Sequence, residues 1–345
     1  MVKATKNKAG TWSCRVYYKD EDGNVHRPVF TADKKSIAEK EATIFLANAK
    51  EEVARRKEQL YNITFQEAAE RYIASRESVV SPSTTREYLR ALNSYYYAPI
   101  KGKLLFDITA EDVQLMVNDW AKKLSPKTVR DKHGFVSAVI GTYRKDKFLD
   151  TTLPEEQEIN LYTPVDKEVQ KLIGYVKNTR LEAPVLISAF ASLRRSELCA
   201  LKLEDVGDGF INVNKAVVLD KDNNWVVKRT KTRKGTRVTP LPKEVTDRLK
   251  VIACGNKVVN MNPNQLSSAF SHAVKRSGLQ HFRLHALRSY YASVMHALRI
   301  PDQYIMQWGG WKDQKTMQKH YQKPLDDRAK SMAEIGIKHF ESMMF

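Results

Sequence analysis

The sequence predicts a multidomain α+β protein in which helices dominate and strands form small, separate sheets. Three observations carry that expectation: an alternating stretch near the N-terminus, successive helical periods with start signals through the middle, and a last region where short strands interrupt helices. The length of 345 residues accommodates two or three domains of about 100–200 residues each. A hydrophobic fraction of 42% can supply cores that a disordered chain lacks.

Residues 1–57 form the first expected domain, a small sheet plus a helix. Trp12, Cys14, Val16 and Tyr18 alternate with Ser13, Arg15, Tyr17 and Lys19, the period of a strand with one buried face. Asp20 to Asn24 is turn chemistry, and Val25 to Thr31 reads as the returning strand. Ile37, Ala42, Phe45, Leu46 and Ala49 recur at helical spacing between Ser36 and Lys57. A sheet carrying Arg15, Lys19 and Arg27 can enter a DNA major groove, or it can be a packing domain with solvated charges.

The second expected domain, 62–148, is all-α. Its four helices run over 64–76, 84–97, 108–123 and 125–144, two of them opened by Ser-Pro at Ser81 and Ser125. Asp150 to Glu156 is a polar connector containing Pro154. The third domain, 160–345, is mainly α with a small sheet. Helices are expected over 167–176 and 183–203, strands over 210–218, 225–228 and 237–241, and helices thereafter.

The charge narrows the partner. With 58 Lys and Arg against 40 Asp and Glu, the net charge is +18. Binding a polyanion releases condensed counterions, so nucleic acid is the favoured partner, although ribosomal and membrane-surface proteins are basic too. Cys14, Cys199 and Cys254 lie far apart without a C-x-x-C pair, which supports neither a disulfide framework nor a zinc ribbon. The N-terminus lacks a secretory pattern, and no apolar run reaches the roughly 18 residues of a membrane span. A cytoplasmic protein is expected, with no membrane partner, metal or cofactor.

Four features in the last 150 or so residues carry chemistry. In Leu193-Arg194-Arg195-Ser196-Glu197-Leu198 a helix would put Arg194 and Glu197 one turn apart, either a held arginine or an ordinary surface ion pair. Lys228, Arg229, Lys231, Arg233, Lys234 and Arg237 crowd one segment with Gly235 at its turn, read as the tip of a basic β-hairpin. Most of these cations would touch only phosphates, and a lysine there can also protonate a leaving oxygen. His285 and Arg288 are three apart and can share one helix face, joining a proton exchanger to a bidentate phosphate ligand. Finally, Trp308-Gly309-Gly310-Trp311 precedes Lys319-His320-Tyr321. A tyrosine with a pKa of about 10 attacks phosphate only where cations stabilise the phenolate. By proximity to Arg288 alone, Tyr290 and Tyr291 rival Tyr321.

In order and spacing these motifs resemble the tyrosine recombinase (phage integrase) family. Arg194 matches its first arginine and Glu197 the acidic partner. Lys231, nine residues before Pro240, matches the hairpin lysine; His285 and Arg288 match the second box. Trp311 stands where most members have His, and Tyr321, ten residues on, matches the nucleophile. Ser192 replaces a frequent Gly and Ser289 a frequent His. The resemblance extends to 62–148, similar to a helical, SAM-like core-binding domain, and to 1–57, similar to a three-stranded arm-type DNA-binding domain.

The resemblance implies a site-specific recombinase integrating or excising a mobile element. Tyr321 would form a 3′-phosphotyrosyl link, with Arg194, Arg288 and Trp311 on the non-bridging oxygens, Lys231 as acid and His285 assisting. Double-stranded attachment-site DNA and a homotetramer on it are implied partners, with an excisionase and a DNA-bending protein as possible additions, in a bacterial cytoplasm. A tail over 324–345 would pack on a neighbouring protomer or on its own domain. The rivals are a catalytically silent DNA-binding regulator derived from an integrase and, with the same chemistry, a type IB topoisomerase or a resolvase. The absence of a nucleotide-binding lysine motif and of metal carboxylates speaks against a DNA ligase or nuclease.

Overall fold

The computed structural model describes residues 2–20, 24–144, 149–156, 162–229, 236–321 and 337, the side chains of 56–61 and 319–321 excepted. The chain divides into two compact units, residues 1–157 and 158–345. Among the described residues no helix is long and apolar enough to cross a membrane.

The first unit holds two separate cores. One lies between a sheet and a helix. Strands β1 (Thr5–Lys6), β2 (Trp12–Arg15), β3 (Tyr18–Lys19), β4 (Val25–His26) and β5 (Val29–Ala32) precede helix α1 (Lys35–Tyr61). The three-stranded antiparallel sheet has the order β1-β2-β5, and β3 pairs β4 apart from it. The expected strand over 12–19 is thus broken at Val16. There Val16 N–H donates to the Pro28 carbonyl at 3.1 Å, but Pro28 has no N–H to return the bond, so the ladder lapses. The alternation nevertheless governs burial: Cys14 and Val16 join Ala4, Ala38 and Ala42 in the core, while Arg15, Tyr17, Lys19 and Arg27 are exposed. Ile37, expected on the buried stripe of α1, is exposed, and Ala38 takes that place.

The other core belongs to α2 (Phe65–Ala74), α3 (Pro82–Leu92), α4 (Ala98–Lys101), α5 (Ala110–Ala121) and α6 (Pro126–Tyr143). Capping side chains fix the helix starts: Thr64 accepts from Glu67 N–H, Thr109 from Asp112 N–H and Ser125 from Thr128 N–H, and a lost cap of this kind costs about 1 kcal/mol. Phe65, Ala68, Ala69, Tyr72 and Ile73 of α2 are all buried, packed with Tyr97, Trp120, Phe135 and Val139. The expected helix over 84–97 stops at Leu92, and Ser94 caps a separate 3₁₀ turn over Tyr95–Tyr97.

The second unit runs α7 (Asp166–Val176), α8 (Glu182–Ala191), α9 (Arg195–Leu198), β6 (Phe210–Val213), β7 (Lys215–Leu219), β8 (Trp225–Arg229), β9 (Arg237–Pro240), α10 (Lys243–Ile252), α11 (Pro263–Arg276), α12 (Ala286–Ala297), α13 (Asp302–Gly309) and α14 (Gln314–Tyr321). Helix α8 is its axis, with every residue but Phe190 buried. Leu172, Val185, Ile187, Leu198, Leu266, Phe270 and Leu287 meet around it, each large side chain contributing about 1.5–3 kcal/mol on burial. A smaller cluster of Tyr291, Ala292, Ile305, Trp311 and Met317 ties α12 to α13 and α14.

One expectation is corrected here. The helix expected over 183–203 ends at Ala191, because Ser192 takes a left-handed φ of 58° and Arg194 is extended. Strand β8 pairs with β7 and β9 with β6; residues 230–235, where the tip of a basic hairpin is expected, lie outside the described residues.

Candidate active site

The site gathers at the C-terminal end of α13. A helix end leaves carbonyls without partners inside the helix and carries partial negative charge. Here three consecutive carbonyls each take a guanidinium. The Trp308 carbonyl accepts from Arg237 Nε at 2.9 Å and from Thr239 Oγ1 at 2.8 Å. The Gly309 carbonyl accepts from Arg288 Nη1, which also donates to the Ser192 carbonyl. The Gly310 carbonyl accepts from Arg194 Nη2 at 2.7 Å. Charged donors make such bonds about twice as strong as neutral ones.

Glu197 is the counter-charge. Its Oε1 accepts from Arg194 Nη1 at 2.9 Å and Arg237 Nη1 at 3.1 Å; its Oε2 accepts from Arg237 Nη2 and the Arg194 N–H, both at 2.8 Å. Burial alone would raise the carboxyl pKa, but hydrogen bonding and charge from Arg237, then Arg194, outweigh it and hold the pKa at about 2. Arg194 is not on the face of a long helix, as expected, but is the N-cap of α9. That backbone turns its side chain back over Glu197 and leaves it 42% exposed.

Arg288 is buried. Its pKa is pushed down to about 9 by burial first and by the Arg194 charge second, so it remains charged at neutral pH. Its guanidinium carbon lies 3.9 Å from the centroid of the Trp311 ring, and its Nη2 has no hydrogen-bond partner among the described residues. His285, at the head of α12, has its pKa lowered by local desolvation and then by Arg288 and Arg194, which favours the neutral imidazole.

Local sequence makes room for this packing. A Cβ on Gly309 would fall 1.7 Å from the Trp311 ring, and one on Gly310 would fall 2.9 Å from Arg237 Nη1. Gly310 also needs its φ of +70° to end α13, a conformation that costs other residues about 1 kcal/mol or more. Ser192 holds a similar left-handed φ without being glycine.

The structure brings Arg194, Glu197, Arg288 and Trp311 together, with His285 beside them. Tyr321 closes α14, which packs on α12 through Met317 and Tyr291. Lys231, Arg233, Lys234 and the tail, Ile337 apart, lie outside the described residues. Arg229 is exposed and Lys228 half-buried on β8, whereas Arg15, Lys19 and Arg27 lie in the first unit. Tyr290 donates to Asp166 at 2.8 Å, and the Tyr291 hydroxyl is buried without a partner among the described residues.

Arg237 requires a correction. Expected among the DNA-binding cations, it is instead 7% exposed and bonded to Glu197 and Trp308. Strand β9 turns Arg237 and Thr239 inward and leaves Val238 53% exposed, the reverse of what hydrophobic alternation suggests. The only hint in the sequence is that Arg237 and Thr239 are spaced to share one strand face.

Residues 165–328 match the model of the phage integrase family. A search of curated protein sequences finds no match. Among solved structures, the chain is similar to the integrase of transposon Tn1549 in complex with transposon right-end DNA, at 15% identity and a TM-score of 0.66, over 79% of this chain and 99% of that one. It is also similar to a lambda integrase tetramer bound to a Holliday junction, at 18% identity and a TM-score of 0.59, over 90% and 96%. At these identities the likeness is one of fold.

Proposed function

We propose that this chain, whose residues 165–328 match the phage integrase family model, is a recombinase of the tyrosine type that cuts and rejoins DNA at specific sites through Tyr321. The observation that carries the reading is the convergence of Arg194 and Arg288 on one helix end, with Arg288 Nη2 left without a hydrogen-bond partner among the described residues. Two fixed cations at one point suit the non-bridging oxygens of a phosphodiester in its transition state.

In this reading Tyr321 attacks the scissile phosphorus, forming a 3′-phosphotyrosyl bond while the 5′-oxygen leaves. Arg194 and Arg288 hold the non-bridging oxygens and Trp311 supports them. His285, kept neutral, accepts the phenol proton, and Lys231 supplies one to the departing oxygen. The bond energy is kept in the phosphotyrosyl link, so the reverse attack by a 5′-hydroxyl reseals the strand. Strand exchange would take place within a tetramer on attachment-site DNA, with the exposed Arg15, Lys19 and Arg27 contacting a second, arm-type site. An excisionase and a DNA-bending protein would set its direction. Integration or excision of a mobile element follows from this reading.

The test is a nicked suicide duplex carrying the attachment core, incubated without metal or ATP and assayed for an SDS-resistant adduct. The adduct should vanish in Tyr321→Phe and persist in Tyr290→Phe. Tight binding of a verified site without any adduct would overturn the recombinase reading in favour of a DNA-binding regulator.

A further inference from the structure

Arg237 closes a ring of hydrogen bonds that none of the expected site roles explains. It runs from Arg237 to both oxygens of Glu197, from Glu197 to the Arg194 side chain and N–H, and from Arg194 to the Gly310 carbonyl. The chain then leads back through Gly309 to Trp308, whose carbonyl accepts from Arg237 Nε. Thr239, two residues along β9, straps the same carbonyl. The fit is close, because only the missing side chain of Gly310 lets the guanidinium approach.

Within this ring the members differ in exposure. Arg194 has 42% of its side chain exposed, whereas Arg237 has 4% and Glu197 7%. A long half-exposed arginine samples many rotamers unless its partners are fixed, and Arg237 fixes both of them. It holds the carboxylate that orients Arg194 from one side and the turn whose carbonyl anchors it from the other. The same turn leads into Trp311, against which Arg288 stacks.

We propose that Arg237 is a positioning residue of the recombination site: it touches neither DNA nor the reacting atoms, and it sets Arg194 and the Trp308–Trp311 turn through Glu197 and the Trp308 carbonyl. This rests on the recombinase reading of the same site. A planar fork reaching three acceptors is something arginine supplies and lysine does not.

The experiment compares Arg237→Met, Arg237→Lys, Arg194→Ala and the Arg237→Met/Arg194→Ala double variant in the full chain. Single-turnover adduct formation and the salt dependence of core-site binding are measured for each. Arg237→Lys retains a buried positive charge beside Glu197 and serves where Arg237→Met does not fold. The expected loss of rate in folded Arg237→Met is about 100-fold, the scale of a misplaced site group, with Arg237→Lys intermediate. In the Arg194→Ala background the further loss should be within about twofold, since residues acting through one another are not additive. The salt slope should be unchanged.

A wild-type rate in the folded variants, or losses that multiply in the double variant, would overturn the proposal. So would a salt slope lowered by about 1, the mark of a phosphate-contacting cation. If the wild-type chain forms no adduct, the recombinase reading fails, and positioning is read from amide exchange instead. Gly310 and Trp311 N–H both donate to the Met306 carbonyl. Faster exchange of these two amides in Arg237→Lys supports the positioning of the turn, and unchanged exchange overturns it.

Discussion

Arg288 lies against Trp311 with its guanidinium carbon 3.9 Å from the ring centroid, while its Nη1 holds the carbonyls of Ser192 and Gly309. The ring fixes the plane of the guanidinium and the carbonyls fix its rotation within that plane. A desolvated stack of this kind is worth about 2 kcal/mol. Trp311 is therefore the wall that aims Arg288.

Gly309→Ala tests that wall. The added Cβ would sit 1.7 Å from the Trp311 ring, so the ring must move and Arg288 loses its support. Adduct formation should fall by about 100-fold while core-site affinity changes by less than about twofold. A normal rate in gel-based single-turnover assays would show that Trp311 does not aim Arg288.

Glu197 predicts a stability effect with a defined pH window. Its folded pKa of about 2 lies below its ordinary value of 4.5. The contribution is therefore present above about pH 4.5 and lost as pH falls towards 2, amounting to roughly 3 kcal/mol. Glu197→Gln should lower the urea midpoint at pH 7, and its gap to wild type should close on acidification. A gap that stays constant from pH 7 to the acid limit would contradict this account.

The two tyrosines beside Arg288 should respond differently. Tyr291→Phe removes a buried hydroxyl that has no partner among the described residues, so its melting temperature should stay level or rise. Tyr290→Phe loses the bond to Asp166 and should cost about 1 kcal/mol. Both should still form the adduct, and loss of it in either folded variant would reopen the choice of nucleophile.

The proposed role of His285 predicts an acid limb for cleavage. Its pKa lies below the ordinary 6.5 because of desolvation and the neighbouring Arg288 and Arg194. If the neutral ring takes the proton from Tyr321, the midpoint of the acid decline in the single-turnover rate should lie below pH 6.5. Removing the Arg194 charge by Arg194→Ala should move that midpoint upward, and a wild-type midpoint above pH 6.5 would refute the assignment.

Local patterns carried much of this molecule. The face of α2 from Phe65 to Ile73 and the Ser125 start of α6 were legible because amphipathic period and capping act within a few residues. Arg194, Glu197, His285, Arg288, Trp311 and Tyr321 could be singled out because their order and spacing resemble a family pattern. Three features resisted for one physical reason. Ser192 breaks a helix that its neighbours favour, Arg237 is buried on a strand that exposes Val238, and β9 pairs with β6 instead of β8. Each depends on partners tens of residues away, which no local window contains.

The sequence by itself determined the helix-rich α+β class, the basic character and the candidate residues for the proposed chemistry. Only the tertiary structure decided that the C-terminal carbonyls of α13 would be the anchor for three guanidinium groups, and that one of them would be Arg237. The reason is electrostatic and long-range: a buried carboxylate and a helix end with unpaired carbonyls both need cations, and folding determines which arginines reach them.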